Sequence, residues 1–97
     1  MSNHLPPLAV VEALIGRPEK IGAICGVNPK SPYQWRGPAG WRGAGDIPFA
    51  AHMRQLLEYS EAKGIGLTAT HLIRGADEAE VAAILAARAS HSLQAAE

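Results

Sequence analysis

Cysteine is nearly absent from this 97-residue chain, and several other features are missing altogether. The single cysteine, Cys25, excludes an internal disulfide, suits a reducing cytoplasm and is expected to be a small core residue. No apolar run approaches the length of a transmembrane helix. The N-terminus lacks a basic region followed by an apolar stretch, so we expect no signal peptide. These absences favour one domain of a cytoplasmic protein, stabilised by a modest core and, in the usual way for small domains, by dimerisation.

The residue patterns that accompany catalysis are also missing. The four histidines (His4, His52, His71, His91) are scattered, and no two have the close spacing of metal ligands. The glycine-rich stretch 37–45 follows no strand and lacks the Lys-Ser/Thr ending of a phosphate-binding loop. We therefore expect a protein that is not an enzyme and that binds neither a metal nor a small-molecule cofactor.

Net charge is zero, but the charges are unevenly distributed. Residues 17–54 hold six cations and two anions, whereas residues 55–97 hold three cations and six anions. A basic first half followed by an acidic second half is typical of a nucleic-acid module joined to a solubilising or partner-binding module.

Two helices are predicted before residue 26, after a disordered start at residues 1–6. The segment 7–15 has apolar residues at helical spacing, and Gly16 is a plausible end. Pro18 fits the first turn of a second helix that runs to Cys25, where Gly26 supplies the left-handed conformation that closes a helix. Ile21, Ile24 and Cys25 share one face of this second helix.

A third, short helix follows the turn, and the sequence leaves its start open. Asn28 could cap it with Pro29 in the first turn, or Ser31 could cap it with Pro32 in the first position and Gln34 completing a capping box. Either way the helix must end near residue 37, because a proline deeper inside would remove a hydrogen bond. Trp35 is its apolar anchor, and most of its other side chains are polar or cationic. A rigid frame that presents such a helix is what a DNA-reading helix-turn-helix requires.

Residues 37–45 are predicted to be a loop, since four of the ten glycines lie there. Trp41 and Arg42 in its middle have two interpretations. They reach along a phosphate backbone or into a groove, or Trp41 folds back onto the core and Arg42 is solvated.

Three more helices are predicted in the second half. One begins at Asp46-Ile47-Pro48 and runs to Lys63 before Gly64, a short one covers 67–74 with Gly75 as its end, and the last opens at Asp77 with Glu80 as a capping-box partner. The expected inward residues are Phe49, Met53, Leu56, Leu57 and Ser60, then Leu72 and Ile73, then Val81, Ile84, Leu85 and Leu93. With no strand alternation and no repeat, the fold class is all-α: a compact domain of five to six helices.

The turn resembles that of the Cro-type helix-turn-helix repressors of phages and related small bacterial regulators. The resemblance covers residues 8–63. It rests on Ile21 and Gly22, on Cys25-Gly26-Val27 at the turn, on Gln34-Trp35-Arg36, and on the Asp46-Ile47-Pro48 that follows. The chain departs from the family at Pro32, where an aliphatic residue is usual, and in the long stretch between Trp35 and Ile47.

The resemblance implies a sequence-specific regulator of transcription, a repressor that binds double-stranded DNA as a homodimer on a palindromic operator. By position it implies that Asn28, Lys30, Tyr33 and Gln34 lie at the DNA, with Arg36 near phosphate. The side-chain chemistry agrees, since amides pair with adenine and cations with guanine, while Ser31 suits phosphate and Lys20, Arg36 and Arg42 set affinity. The DNA-binding core is then 8–63, and the helices of 67–97 form a dimerisation or partner-binding extension of a single 1–97 domain. A bacterial or phage-encoded, cytoplasmic protein, nucleoid-associated when bound, is expected.

A second hypothesis uses the same helices differently. The chain would be a protein-interaction module, such as an antitoxin or anti-activator, whose helix-turn-helix does not read DNA. Its acidic, alanine-rich C-terminal helix would be the working surface.

Overall fold

The computed structural model describes residues 3–40 and 42–96, with residues 90–96 described only as helix backbone. These ranges contain six helices and one two-stranded antiparallel sheet, which agrees with the mostly helical class predicted. In chain order the elements are β1 (His4–Leu5), α1 (Pro7–Leu14), α2 (Pro18–Cys25), α3 (Ser31–Gln34), α4 (Ala50–Lys63), α5 (Ala69–Arg74), β2 (Ala76–Asp77) and α6 (Glu78–Ala96).

Helix α1 lies at the centre of the fold. A proline begins it, as predicted, and its apolar residues are almost completely buried, with Val10 and Val11 at 0% exposure. The core around it draws residues from nearly every element, including Ile21 of α2, Leu56 of α4, Leu72 of α5 and Val81 of α6. Residues of the 67–97 segment thus share one core with those of the 8–63 segment.

The first two predicted helices are confirmed within a residue. Helix α2 begins at Pro18 and ends at Cys25, and Gly26 has the left-handed conformation (φ 71°, ψ 30°) that closes it. The predicted burial of Cys25 is confirmed at 4% exposure.

Helix α4 begins later than predicted. Its first residue is Ala50, because Ile47 precedes a proline, which disfavours helical conformation, and Phe49 is extended (φ −133°, ψ 143°). The Asp46 carboxylate does not cap a helix here, since it accepts the N–H of Gly43 at 3.1 Å. The predicted burial of Phe49 is wrong, as 57% of this residue is exposed.

The rest of the α4 stripe is mostly as predicted. Leu56 and Ser60 are buried, and Met53 and Leu57 are half-buried against the core. The Ser60 hydroxyl accepts the N–H of Leu67 at 2.9 Å, which ties the end of α4 to the segment that enters α5. Gly64 closes α4 in the left-handed conformation, as expected.

Helix α5 turns one of its two predicted core residues outward. Leu72 is 2% exposed, but Ile73 is 67% exposed, so the prediction for Ile73 is wrong. Successive helix residues point about 100° apart, and a helix of six residues can bury only one side against α1. Gly75 ends it, as predicted.

The predicted disordered start is wrong for residues 3–6. His4 pairs with Asp77 and Leu5 with Ala76 in the β1–β2 ladder, and the Glu78 N–H donates to the Asn3 carbonyl at 2.7 Å. This pairing also corrects the expectation that the chain has no strand. Residues 1 and 2 lie outside the described part of the chain.

The predicted start of α6 is confirmed within a residue, since the helix begins at Glu78, but the predicted capping box is not formed. Asp77 belongs to β2 and its carboxylate contacts the His4 ring at 3.1 Å, while Glu80 pairs with His71 at 3.0 Å instead of completing a capping box. Val81 is buried and Ile84 half-buried, as expected, but Leu85 is 39% exposed. The prediction for the Leu93 side chain falls outside the described residues.

Candidate nucleic-acid interface

Helices α2 and α3 meet at an unusually close turn. Gly22 lies in α2 where a Cβ would be 3.2 Å from the Asn28 carbonyl oxygen and 3.2 Å from Pro29 Cα. The Val27 N–H donates to the Gly22 carbonyl at 2.9 Å, directly after the left-handed Gly26. A glycine here therefore allows the turn to lie against the middle of α2, and this sets the position of α3.

Helix α3 is a single turn, and its start resolves the alternatives left open by the sequence. Ser31 is its first residue and does not cap it, while Asn28 Oδ1 accepts the N–H of Lys30 at 2.9 Å in the preceding turn. Asn28 therefore orders the turn, and the Ser31–Gln34 capping box is not formed.

Two apolar side chains hold α3 to the body of the protein. Pro32 is fully buried, so its ring packs into the core beneath α3. Trp35 is 6% exposed and stacks on the His52 ring of α4, with the ring centroids 5.6 Å apart and the planes 20° apart. With these anchors inward, the remaining residues of the segment face outward.

Three predicted site residues lie exposed on the outer side of this unit: Asn28, Lys30 and Gln34. Within the described residues, the Lys30 and Gln34 side chains have no hydrogen-bond or ion-pair partner. Both are therefore available to a ligand without breaking an internal contact.

Two other predicted site residues are held by carboxylates. The Tyr33 hydroxyl donates to Glu19, and this hydrogen bond lowers the pKa of the Glu19 carboxyl. Arg36 donates to Glu12 through Nη2 at 2.6 Å and Nε at 3.2 Å, and its guanidinium lies 5.0 Å from the centre of the Tyr33 ring. The pKa of Arg36 is raised further by the hydrogen bonds to Glu12.

Glu12 and Glu19 are residues of the candidate site that the sequence analysis missed, since they hold Arg36 and Tyr33. Glu12 lies 24 positions before Arg36, and no local pattern connects them. Only the packing of α1 beside the end of α3 brings this pair together.

Neither interpretation of Arg42 is correct, because its side chain is half-buried and hydrogen-bonded to the main chain. Its Nη1 donates to the carbonyls of Trp35 and Gly37 at 3.1 and 3.0 Å, and the Ala39–Arg42 bridge folds the loop back on itself. Its guanidinium therefore ties the 37–45 loop to the end of α3. The prediction for Trp41 concerns a residue outside the described part of the chain.

Lys20 lies on the side of α2 that faces α4. Its Nζ is 5.7 Å from the centre of the Tyr59 ring, within cation–π distance. The structure thus brings together Asn28, Lys30, Ser31, Tyr33, Gln34 and Arg36 around α3, and it directs Arg42 and Lys20 to internal contacts.

Metal-ion and thiol chemistry have no support in the described residues. No group of three or more histidine, cysteine, aspartate or glutamate side chains there is arranged to hold a metal ion. Burial raises the pKa of the Cys25 thiol to about 11, so the nucleophilic thiolate is scarce.

The buried His71 has a structural role. Its Nδ1 accepts the Thr68 N–H at 3.1 Å, so Nε2 carries the proton and donates to Glu80. The ring therefore caps α5 and links it to α6.

Across residues 3–40 and 42–96, no helix is long and apolar enough to span a membrane. Comparisons with protein-family models, with curated proteins and with solved structures give no match to this chain.

Proposed function

We propose that this protein is a sequence-specific regulator that binds double-stranded DNA, a repressor acting as a dimer on a palindromic operator. The observation that carries the proposal is the α2/α3 unit. Its turn lies so close to α2 that a Cβ at Gly22 would be 3.2 Å from the turn backbone, and the unit presents exposed Asn28, Lys30 and Gln34 on one rigid frame. A helix-turn-helix needs this combination of fixed geometry and free polar side chains.

Gln34 and Lys30 are the proposed reading side chains. The Gln34 amide can pair bidentately with adenine, and the Lys30 ammonium can contact guanine or a phosphate. A good base contact discriminates by about 1–3 kcal/mol. Because neither side chain gives up an internal partner, this discrimination is not offset by a broken contact.

Arg36 and Tyr33 have a different proposed role. Arg36 would exchange its contact with Glu12 for one with a DNA phosphate, and that exchange would leave the Glu12 carboxylate near the phosphate backbone of the DNA. Like charges at an interface are unfavourable, so these carboxylates weaken binding to any duplex that the free side chains do not recognise. Glu12 and Glu19 are therefore proposed to favour specific over nonspecific binding.

The experiment is a fluorescence-anisotropy titration of the purified protein against a pooled duplex library and a random duplex, over a series of salt concentrations. Enrichment of one palindrome, with affinity that falls as salt rises, is the expected result. Lys30→Ala should weaken binding and reduce the slope of log affinity against log salt by about 1 if Lys30 contacts phosphate. Gln34→Ala should lower affinity for the enriched duplex while binding to the random duplex stays the same.

Lys63→Ala is the matched control, because Lys63 is also an exposed lysine without a partner among the described residues but lies at the far end of α4. It should bind DNA like the unaltered protein. Equal losses for Lys30→Ala and Lys63→Ala would show a nonspecific charge effect. Equal loss on enriched and random duplexes for Gln34→Ala would refute its reading role. Arg42→Ala is not a useful probe, since it removes four hydrogen bonds to main-chain carbonyls.

The protein-interaction hypothesis stands as the second candidate, favoured by the exposed alanines of α6 (Ala82, Ala83, Ala86 and Ala87) beside its acidic first turn. Absence of DNA binding even at low salt would favour it. Truncation after Gly75 does not separate the two hypotheses, because Ala76 and Val81 are core residues and their loss would unfold the domain. Surface substitutions are required instead.

A further inference from the structure

We propose that the face formed by α4 and α5 joins two copies of this chain, with the two α4 helices antiparallel across a two-fold axis. This proposal supplies the dimer on which the proposed function relies, but its evidence and its test are independent of DNA.

The apolar part of this face is a groove between the two helices. It has a volume of about 170 Å³ and is lined mainly by Ala50, Met53, Leu57, Ala69, Leu72 and Ile73. Ile73 is 67% exposed, the largest exposed fraction among the large apolar side chains described. A β-branched aliphatic side chain that stands outside its own core is suited to burial against a second surface.

The apolar surface continues past this groove. A neighbouring groove of about 180 Å³ shares Met53, Leu72 and Ile73 with the first and reaches toward Asp46 at the start of the α4 segment. The two grooves together give the face an apolar centre with charged residues at its margin, which is the usual anatomy of a protein interface.

The charges beside the groove identify the occupant as a second copy. Arg54 lines the groove, and Glu61 follows it by seven residues, so both lie on one side of α4 about 10.5 Å apart along the axis. That separation is too large for them to pair with each other, and among the side chains described (residues 3–40 and 42–89) neither has an ion-pair partner.

A two-fold axis that runs between the two α4 helices, level with Leu57 and Glu58, would give Arg54 and Glu61 partners on the other copy. In an antiparallel pair, residues equally spaced from the axis face each other, so Arg54 of one copy meets Glu61 of the other. Symmetry repeats the contact, which gives two ion pairs between the α4 helices, beside the apolar grooves. This self-complementarity is required of a two-fold interface, whereas an unrelated partner has no reason to impose it.

The proposed arrangement differs in part from the expectation for the C-terminal helices. Helix α5 belongs to the 67–97 segment that was expected to dimerise, but its companion in this face is α4, not α6.

The test is sedimentation equilibrium of the full chain without DNA, from low micromolar concentrations upward. The expected mass rises with concentration from 10.2 kDa, the mass of one chain, toward twice that value. Ile73→Ser should weaken the dimer, and it should leave the fold intact because the side chain is already outside the core. Circular dichroism and thermal unfolding establish that each variant is folded.

Charge reversal tests the orientation of the two copies. Arg54→Glu and Glu61→Arg should each weaken the dimer by about tenfold, since each breaks two symmetry-related pairs and places like charges together. The double variant Arg54→Glu/Glu61→Arg should restore the affinity. Lys63→Glu is the matched control, because nine residues at 100° each place Lys63 on the side of α4 opposite Arg54.

A mass of 10.2 kDa at every concentration would overturn the proposal, and so would a double variant no tighter than either single one. The second result would indicate a dimer through another face. A monomer that still selects a DNA sequence would refute this interface and the dimeric part of the proposed function, and it would leave only sequence-specific DNA binding standing. A dimer with the predicted charge behaviour but no DNA binding would support the interface and refute the proposed function.

Discussion

Replacing Gly22 by alanine tests the packing that positions α3. The added Cβ would lie 3.2 Å from the Asn28 carbonyl oxygen, 3.2 Å from Pro29 Cα and 3.4 Å from the Val27 carbonyl oxygen. All three are main-chain atoms of the turn, so they cannot move aside by changing a rotamer. The turn itself must move away from α2, and α3 must move with it.

Two effects of opposite sign decide the result. Alanine in place of glycine inside a helix stabilises it by about 1 kcal/mol. Overpacking costs about 1–3 kcal/mol. Because the turn is held by the left-handed Gly26 and by the Asn28–Lys30 hydrogen bond, we expect a packing cost of about 2 kcal/mol, near the middle of that range. The net expectation is a loss of about 1 kcal/mol in the free energy of unfolding, which lowers Tm by about 4–8 °C in a domain of this size.

Urea unfolding of Gly22→Ala beside Ala23→Gly separates the two effects. Ala23 is the next residue of the same helix and is exposed, so its replacement measures helix propensity without the packing change. Ala23→Gly should destabilise by about 1 kcal/mol. The packing cost at Gly22 is then the loss measured for Gly22→Ala plus the loss measured for Ala23→Gly.

Stabilisation by Gly22→Ala equal in size to the loss from Ala23→Gly would refute the reasoning. It would mean that an additional methyl group meets no resistance, so the turn does not lie against α2. If the close packing is present, Gly22→Ala should also weaken binding to the enriched duplex more than binding to a random one, because it displaces the reading side chains without removing them.

Three further predictions concern other parts of the fold. Gly75→Ala should lower the free energy of unfolding in urea by about 3 kcal/mol, because Gly75 has φ +77° and ψ −159° and a Cβ there would overlap the main chain of β1. Gly64→Ala is the control and should cost about 1 kcal/mol, because a Cβ at Gly64 would have no atom within 4 Å. Equal losses for the two variants would contradict the overlap at Gly75. The pKa of His4 is raised by the hydrogen bond to the Arg74 carbonyl of α5 and then by the Asp77 carboxylate of β2. The contribution of His4 to the stability of the fold should therefore be complete below pH 6.5 and be lost as pH rises through the raised pKa. The difference in stability between the unaltered protein and His4→Gln should therefore be larger at about pH 5.5 than at about pH 8.5, and a constant difference would show that the ring does not act as a cation. Cys25, whose pKa is about 11, should react with a thiol reagent far more slowly in the folded protein than in urea, and similar rates would show that the thiol is accessible.

Local signals in the sequence were sufficient for much of the helical framework. Pro7 and Pro18 mark helix starts because the first turn of a helix has no use for the missing N–H. Gly26 and Gly64 mark helix ends because a left-handed residue closes the helix there, and the structure has both in that conformation. These signals act within a few residues, so they do not depend on the rest of the fold.

Two of the predictions that failed concern which of several neighbouring residues faces the core. Phe49 and Ile73 have the apolar character and approximate spacing of core residues, yet both are more than half exposed. Phe49 is extended and lies before α4, whereas Ile73 lies in α5 beside the buried Leu72. The helical period of the sequence marks an apolar stripe about two residues wide along such a helix. Which edge of that stripe is buried depends on where the next helix lies.

The candidate site divides in the same way. Local signals account for the end of α2 and the shortness of α3, because Gly26 and the prolines act within a few residues, and the sequence also gives the polar residues that this unit carries. Only the tertiary structure decided that Lys30 and Gln34 are free while Arg36 is held by Glu12, and that β1 pairs with a strand more than 70 residues away. Such contacts join distant parts of the chain, and their loop-closure entropy is offset only by the packing of the whole core, so no short stretch of sequence contains them.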